Sequence, residues 1–140
     1  MAAEAIGLGA SVVGFVGLAG QILQGCLFVQ NFLDALEDAP ADIEVLRSEL
    51  IIFQTSLDTF QSTLNAVGDD AIGEDVRLAL DYSNKIINEL RKVVSKLGDG
   101  HYGCMTNFSM VMRKARISKH VKTLERARTM LLCAQMNMSM

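Results

Sequence analysis

The stretch from Ala5 to Leu33 constrains this chain more than any other, because it runs for 29 residues without a charged side chain. A helix of roughly 20 apolar residues can cross a bilayer core, so the stretch is long enough to span one. It also holds six glycines, and each costs a helix in water about 1 kcal/mol relative to alanine. We therefore expect a helix over residues 3–36 that needs a close-packed neighbour, either protein or lipid, with a break near Gly20 or Gly25 as an alternative.

Small residues form a stripe along this predicted helix. They recur at alternating spacings of four and three, at Ala3, Gly7, Ala10, Gly14 and Gly17. Such a stripe allows another backbone to approach closely. We expect a neighbouring helix to lie against Gly14 and Gly17. The bulkier residues predicted on the opposite side are Leu8, Val12, Phe15 and Ile22.

Three further segments show helical periodicity. Pro40 ends the first helix and suits the start of the second. An uninterrupted series of apolar residues at spacings of three and four is typical of the buried seam of a helical bundle. In the second helix this series consists of Ile43, Leu46, Leu50, Phe53, Leu57, Phe60, Leu64 and Val67. The third keeps the period through Ile72, Val76, Ala79, Ser83, Ile86, Leu90, Val93 and Leu97. Ser118 suits the N-cap of a last helix with Val121, Leu124, Ala127, Leu131 and Ala134 on one face.

Composition supports the same architecture. Half of the residues are apolar, only 6% are aromatic and there is one proline, a balance that favours helices over sheet. We predict one all-α domain over residues 1–140, a helical bundle of four main helices plus a short extra helix. The expected bounds are 3–36, 42–67, 74–97 and 119–136, with the short helix near 106–115. The predicted core residues are Leu46, Leu50, Phe53, Leu57, Phe60, Ile86, Leu90, Val93, Leu124 and Leu131.

Charge is divided unevenly along the chain. Residues 1–75 carry 12 acidic side chains and one basic, whereas residues 76–140 carry 12 basic and four acidic. One interpretation is that acidic and basic helices pair inside the fold. The other is that the basic end binds anionic lipid headgroups or an acidic partner. The residues predicted to do so are Arg113, Lys114, Arg116, Lys119 and Lys122. Since no aromatic residue is interleaved with them, we do not expect nucleic-acid binding.

The sequence lacks the common catalytic patterns. It contains no phosphate-binding GxxxxGK[ST] loop, no GxSxG nucleophile elbow and no HExxH metal motif. His101 and Cys104 are spaced like two metal ligands, but no second pair lies nearby. We expect Cys26, Cys104 and Cys133 to be free thiols in a reducing, cytoplasmic compartment. The prediction is a protein that is not an enzyme and that holds no metal or cofactor.

The order of these features resembles a known family. The glycine-bearing apolar helix is followed by DAPADIEVLRSELIIFQTSLDTF, and the chain closes with RKARISKHVKTLERARTMLLCAQMN. Together they resemble the HeLo-like domain, the fungal N-terminal domain of STAND (NLR-type) proteins, over nearly all 140 residues. The resemblance implies a cell-death effector that oligomerises with copies of itself, moves from the cytoplasm to the plasma membrane and permeabilises it.

In that family the N-terminal helix inserts into the membrane. The matching candidates here are Ile6, Leu8, Gly9, Val12, Val13, Gly14, Phe15, Val16, Gly17 and Leu18. The resemblance also implies a STAND/NLR receptor or an amyloid-motif signalling partner, and neither module lies within the 140 residues, so we expect a domain excised from a longer protein. The alternative is a helical adaptor or oligomerisation domain of an NLR-like receptor that acts only through protein contacts.

Overall fold

The structure, a computed structural model, describes residues 12–36, 41–68, 72–98 and 114–139. Four helices make up nearly all of these ranges: α1 (Val12–Asp34), α2 (Ala41–Ala66), α3 (Glu74–Gly98) and α4 (Lys114–Ser139). No strand occurs within the described ranges. The predicted all-helical bundle with four main helices is therefore confirmed. The short extra helix predicted near 106–115 lies outside the described residues except for its last two positions, which belong to α4.

The four helices form a square in which each packs against two others. Helix α1 contacts α2 and α3, and α4 contacts the same two helices from the opposite corner. Contacts between α1 and α2 run from Gln61 beside Val16 to Arg47 beside Asp34, so these helices are antiparallel. Asn137 bonds to Asp75 across α3 and α4. Helices α2 and α3, which follow one another in the chain, therefore occupy opposite corners of the square.

The core lies along the bundle axis and follows the predicted periodicity. In α2 the buried residues are Ile43, Leu46, Leu50, Phe53, Leu57, Phe60 and Leu64, which is the predicted seam without its last member. Every predicted core residue is buried except Val93, which is half-buried against the core while Val94 takes the inner position. Helix α1 adds Phe15, Ala19, Ile22, Gly25, Cys26, Val29 and Leu33. The apolar helix is thus a structural member of the bundle.

The last helix begins earlier than the sequence predicted. Ser118 is not an N-cap, because α4 is already helical at Lys114 and Ser118 is an exposed residue within it. The physical reason is Ile117, which is buried and continues the inner face one turn before Val121. Burial of that side chain outweighs the modest capping preference of a serine. At the other end of α4, Met138 extends the same face.

For the glycines of α1, the alternative of a broken helix is excluded and the prediction of a neighbour at Gly17 was wrong. The helix runs without a break through Gly20 and Gly25. No neighbouring helix lies against Gly17, since a Cβ atom added there would have nothing within 4 Å. The close approach occurs instead at Gly25, where an added Cβ would lie 2.7 Å from Cγ2 of Ile87 and 3.1 Å from Cδ of Arg91. Helix α3 can therefore approach α1 at Gly25 only because this residue has no side chain.

This contact predicts opposite effects for two alanine substitutions in α1. Gly25→Ala would press against Ile87, which is only 1% exposed and has no free space to enter, and should cost about 1–3 kcal/mol of stability. Gly17→Ala faces open space and should stabilise the domain by about 0.5–1 kcal/mol through helix propensity. Urea unfolding of both variants gives the comparison. Equal free energies of unfolding would contradict the close approach at Gly25.

Candidate membrane and anion binding surfaces

From Val12 to Leu33, the solvent-facing side of α1 has no charged residue, and the exposed Asp34 ends the helix. It is formed by residues at spacings of three and four that are all exposed, namely Val13, Gly17, Gln21, Gln24, Phe28 and Asn31. The side chain of Val13 is 75% exposed, and Leu27 at the edge of this face is 52% exposed. The exposed faces of the other helices carry charges such as Glu44 in α2, and an amphipathic bundle helix normally does so. We call the exposed side of α1 the uncharged face.

The ten residues predicted to insert into a membrane do not share one environment. Val13 and Gly17 are exposed, Phe15 is buried, and Val12, Gly14, Val16 and Leu18 are half-buried. Ile6, Leu8 and Gly9 lie outside the described residues. Consecutive positions divide between the core and the solvent because they rotate around the helix by 100° per residue. The seven members from Val12 to Leu18 are consecutive, so they include both the core side and the solvent side of the helix.

Polar contacts hold α1 along α2. The side-chain amide of Gln61 donates a 3.1 Å hydrogen bond to the backbone oxygen of Val16, and Gln54 donates a 2.8 Å bond to Gln30. At the end of the helix, Nε of Arg47 lies 2.6 Å from a carboxylate oxygen of Asp34. This cation compensates an acidic residue at the negative end of the α1 dipole.

Helix α3 holds the other side of α1 through one arginine. The guanidinium of Arg91 lies 5.6 Å from the centre of the Phe28 ring, within the range of a cation–π interaction. The aliphatic part of the same side chain covers the space above Gly25. Phe28 is 45% exposed, so Arg91 covers only part of its apolar surface.

Within the described residues, α1 is the one helix long and apolar enough to cross a membrane. This property alone does not assign a function, since core helices of soluble proteins and signal sequences share it. Of the most apolar 18-residue window, 33% is buried inside the bundle. The helix therefore combines a buried seam with the uncharged face.

The predicted basic residues cluster at the start of α4. Arg116, Lys119 and Lys122 are exposed, while Lys114 is helical and Arg113 lies outside the described residues. Sequence reasoning counted Arg126 among the basic residues but did not assign it to the site, and it missed Tyr82 of α3. Both line a groove together with Ser118, Lys119, Lys122 and Thr123. The spacing of Lys119, Lys122 and Arg126 places them on one helix face, and this pattern in the sequence could have assigned Arg126 to the site. Tyr82 lies on another helix, so no pattern in the sequence indicated that it would line the same groove.

Pairing of the acidic and basic halves contributes little within the described part of the chain. One ion pair joins the basic helix to the acidic one, between Arg128 and Glu49 at 3.9 Å. The inner oxygen of Glu49 is buried and forms no hydrogen bond there. Lys119, Lys122 and Arg126 are exposed and form no ion pair with the described residues.

One titratable group is buried behind this basic surface. His120 faces inward and is 8% exposed, and its backbone oxygen accepts a 2.9 Å hydrogen bond from Thr123. Burial lowers the pKa of His120, Glu89 raises it, and the positive charges of Lys119 and Arg116 lower it further. The imidazole is therefore held neutral in the folded domain at neutral pH.

The cysteines and candidate metal ligands form no reactive centre in the described ranges. Cys26 and Cys133 are free thiols, as predicted, and Cys104 lies outside these ranges. Burial raises the pKa of the Cys26 thiol to about 12, so this residue is a neutral apolar member of the core. No group of three metal-ligating side chains occurs among the described residues, and His101 is not one of them.

Comparison with known proteins gives no relative for this chain: no protein family, curated protein or solved structure matches it.

The buried imidazole predicts a loss of stability in mild acid. Since the folded pKa lies below the unfolded value of 6.5, the unfolded chain takes up a proton that the folded domain resists. The contribution of His120 to the free energy of unfolding is complete above pH 6.5. It falls as the pH drops toward the lowered pKa of His120 in the folded domain. Urea unfolding between about pH 7.5 and about pH 5.5 measures this slope, in a range above most carboxyl pKa values. In His120→Gln the slope should be shallower, and an unchanged slope would assign the effect to other groups.

Proposed function

We propose that this domain is a membrane-permeabilising effector of cell death that acts as a homo-oligomer, as its resemblance to the HeLo-like domain implies. The observation that carries the proposal is the uncharged face of α1. From Val12 to Leu33 this surface has no charged side chain, so its transfer into lipid requires no ion to leave water. Transfer of its exposed apolar side chains into lipid is favourable, by about 25 cal/mol for each Å² removed from water.

In the resting bundle, the core retains α1. Phe15, Ile22 and Leu33 are each at most 3% exposed, and exposing one such side chain costs about 1.5–3 kcal/mol. Release therefore requires a compensating gain, and insertion into lipid together with contacts between copies supplies it. The polar contacts of α1 with Arg47, Gln54 and Gln61 must break at the same time. A STAND/NLR receptor or an amyloid-motif partner would supply the trigger, in the cytoplasm, before the domain moves to the plasma membrane.

The basic surface of α4 complements this role. Lys119, Lys122 and Arg126 are exposed, and each Lys or Arg near an anionic leaflet contributes about 1 kcal/mol to membrane attraction. This surface would bring the domain to the membrane before α1 inserts. Recruitment by charge and insertion through α1 are thus separate steps carried by different helices.

A second function is favoured by a different observation. Seven residues of α1 are buried in the described core, as expected for a helix that stays in place. In this case the domain is an adaptor that binds other helical domains through the uncharged face. Both functions use the same surface, but only one of them requires lipid.

A charged residue on the uncharged face distinguishes the two functions. Val13→Glu should leave the fold intact, since the site is 75% exposed, yet a carboxylate near mid-bilayer costs on the order of 2.5–3.5 kcal/mol. We expect liposome leakage and cell killing to fall about 100-fold. Removing residues 1 to 20 would be less informative, because Phe15 and Ala19 belong to the core.

Leu78→Glu is the matched control, with the same charge on α3 at a site that is 49% exposed. It should leak liposomes like the parent, and thermal unfolding should show that both variants are folded. If Val13→Glu permeabilises liposomes as well as Leu78→Glu does, α1 is not the inserting element. A parent domain that never causes leakage but loses a protein partner on Val13→Glu would support the adaptor.

A further inference from the structure

The groove between α3 and α4 combines several groups that bind phosphate. Its lining consists of Tyr82 from α3 and of Ser118, Lys119, Lys122, Thr123 and Arg126 from α4. Three of these side chains are cationic and three carry hydroxyl groups, and none of the described residues that line the groove is a carboxylate. The α4 residues fall at relative positions 0, 1, 4, 5 and 8, so they share one face of the helix.

The cations of the groove have no carboxylate partner among the described residues. In the described part of the chain, no carboxylate oxygen lies within 4.0 Å of the charged groups of Lys119, Lys122 or Arg126. Asp81, next to Tyr82 in the chain, is paired with Arg77 at 3.0 Å. Three positive charges that line one groove, with no counter-ion from the described part of the chain, make a site of positive potential.

Two acidic residues line a neighbouring groove of α4. Glu125 and Asp42 lie between α2 and α4, where Lys122 also reaches. Lys122 and Ser118 therefore line both grooves, whereas Lys119 and Arg126 line the one toward α3 and not the one toward α2. The arrangement favours a ligand with its negative charge concentrated at one point, because a diffuse anionic surface would also meet these two acids.

We infer that this groove binds a small molecule with clustered phosphate groups, of the inositol polyphosphate class, either free or as the headgroup of a phosphoinositide lipid. Arg126 can bind one phosphate in a bidentate manner, while the two lysines supply point charges for a second. The hydroxyls of Tyr82 and Ser118 donate hydrogen bonds to phosphate oxygens. This inference rests on the proposed function in that it names the ligand class of the basic surface.

Calorimetric titration of the domain with inositol trisphosphate tests the site without any membrane. Lys119→Glu/Lys122→Glu should weaken binding by at least about tenfold, because two charge-assisted contacts become repulsive. Tyr82→Phe should weaken it by about threefold through loss of one hydrogen bond. Lys92→Glu/Lys96→Glu is the matched control, since it changes the net charge equally at exposed α3 positions outside this groove.

The control variant should bind within about twofold of the parent, and thermal unfolding of all variants should show that they are folded. Two results would overturn the inference: absence of trisphosphate binding by the parent, or equal weakening by the two double variants, which means that only net charge matters. Neither result depends on leakage, so the proposed permeabilising function can fail or stand independently.

Vesicle binding separates the two sources of the ligand. Phosphatidylcholine vesicles containing phosphatidylinositol bisphosphate are compared with vesicles brought to the same surface charge by phosphatidylserine. Preference for the bisphosphate vesicles, with displacement by free inositol trisphosphate, identifies a lipid headgroup. Binding of the free trisphosphate without that preference identifies a soluble inositol polyphosphate.

Discussion

The fold depends on the packing of α2, the helix that touches both the apolar α1 and the basic α4. Its seam has seven buried residues with an unbroken spacing of three and four. Large apolar side chains such as Phe53 and Phe60 are fully enclosed there. Since α1 and α4 occupy opposite corners of the square, α2 and α3 connect them. Changes on the surface of α1 or α4 can thus be tolerated while this seam is intact.

The sequence was informative wherever a helix had one apolar side. The seam of α2 and the inner face of α4 followed directly from spacing, because charged residues between the apolar ones leave one orientation possible. Helix α1 lacks that contrast. With apolar or small residues on every side, its orientation was undetermined, and the stripe containing Gly17 was assigned to the wrong side.

The close contact at Gly25 and the groove beside Tyr82 could not be predicted for another reason. Each depends on which residues of two helices lie opposite one another, here Gly25 with Ile87 and Tyr82 with the start of α4. Spacing within one helix fixes its inner face but not its axial position relative to a neighbour. The basic face of α4 was visible in the sequence, whereas its partner side chain on α3 was not.

The order of the four helices around the square has a consequence for how the chain folds. Helices α1 and α2 pair as one antiparallel hairpin, and α3 and α4 pair as another, so half of the helix interfaces join neighbours in sequence. Local pairing of this kind closes small loops and is fast. The remaining interfaces, α1 with α3 and α2 with α4, form only when the two hairpins dock. Docking between hairpins of two different chains would bury the same surfaces, which gives this topology a direct route to exchange of hairpins between copies.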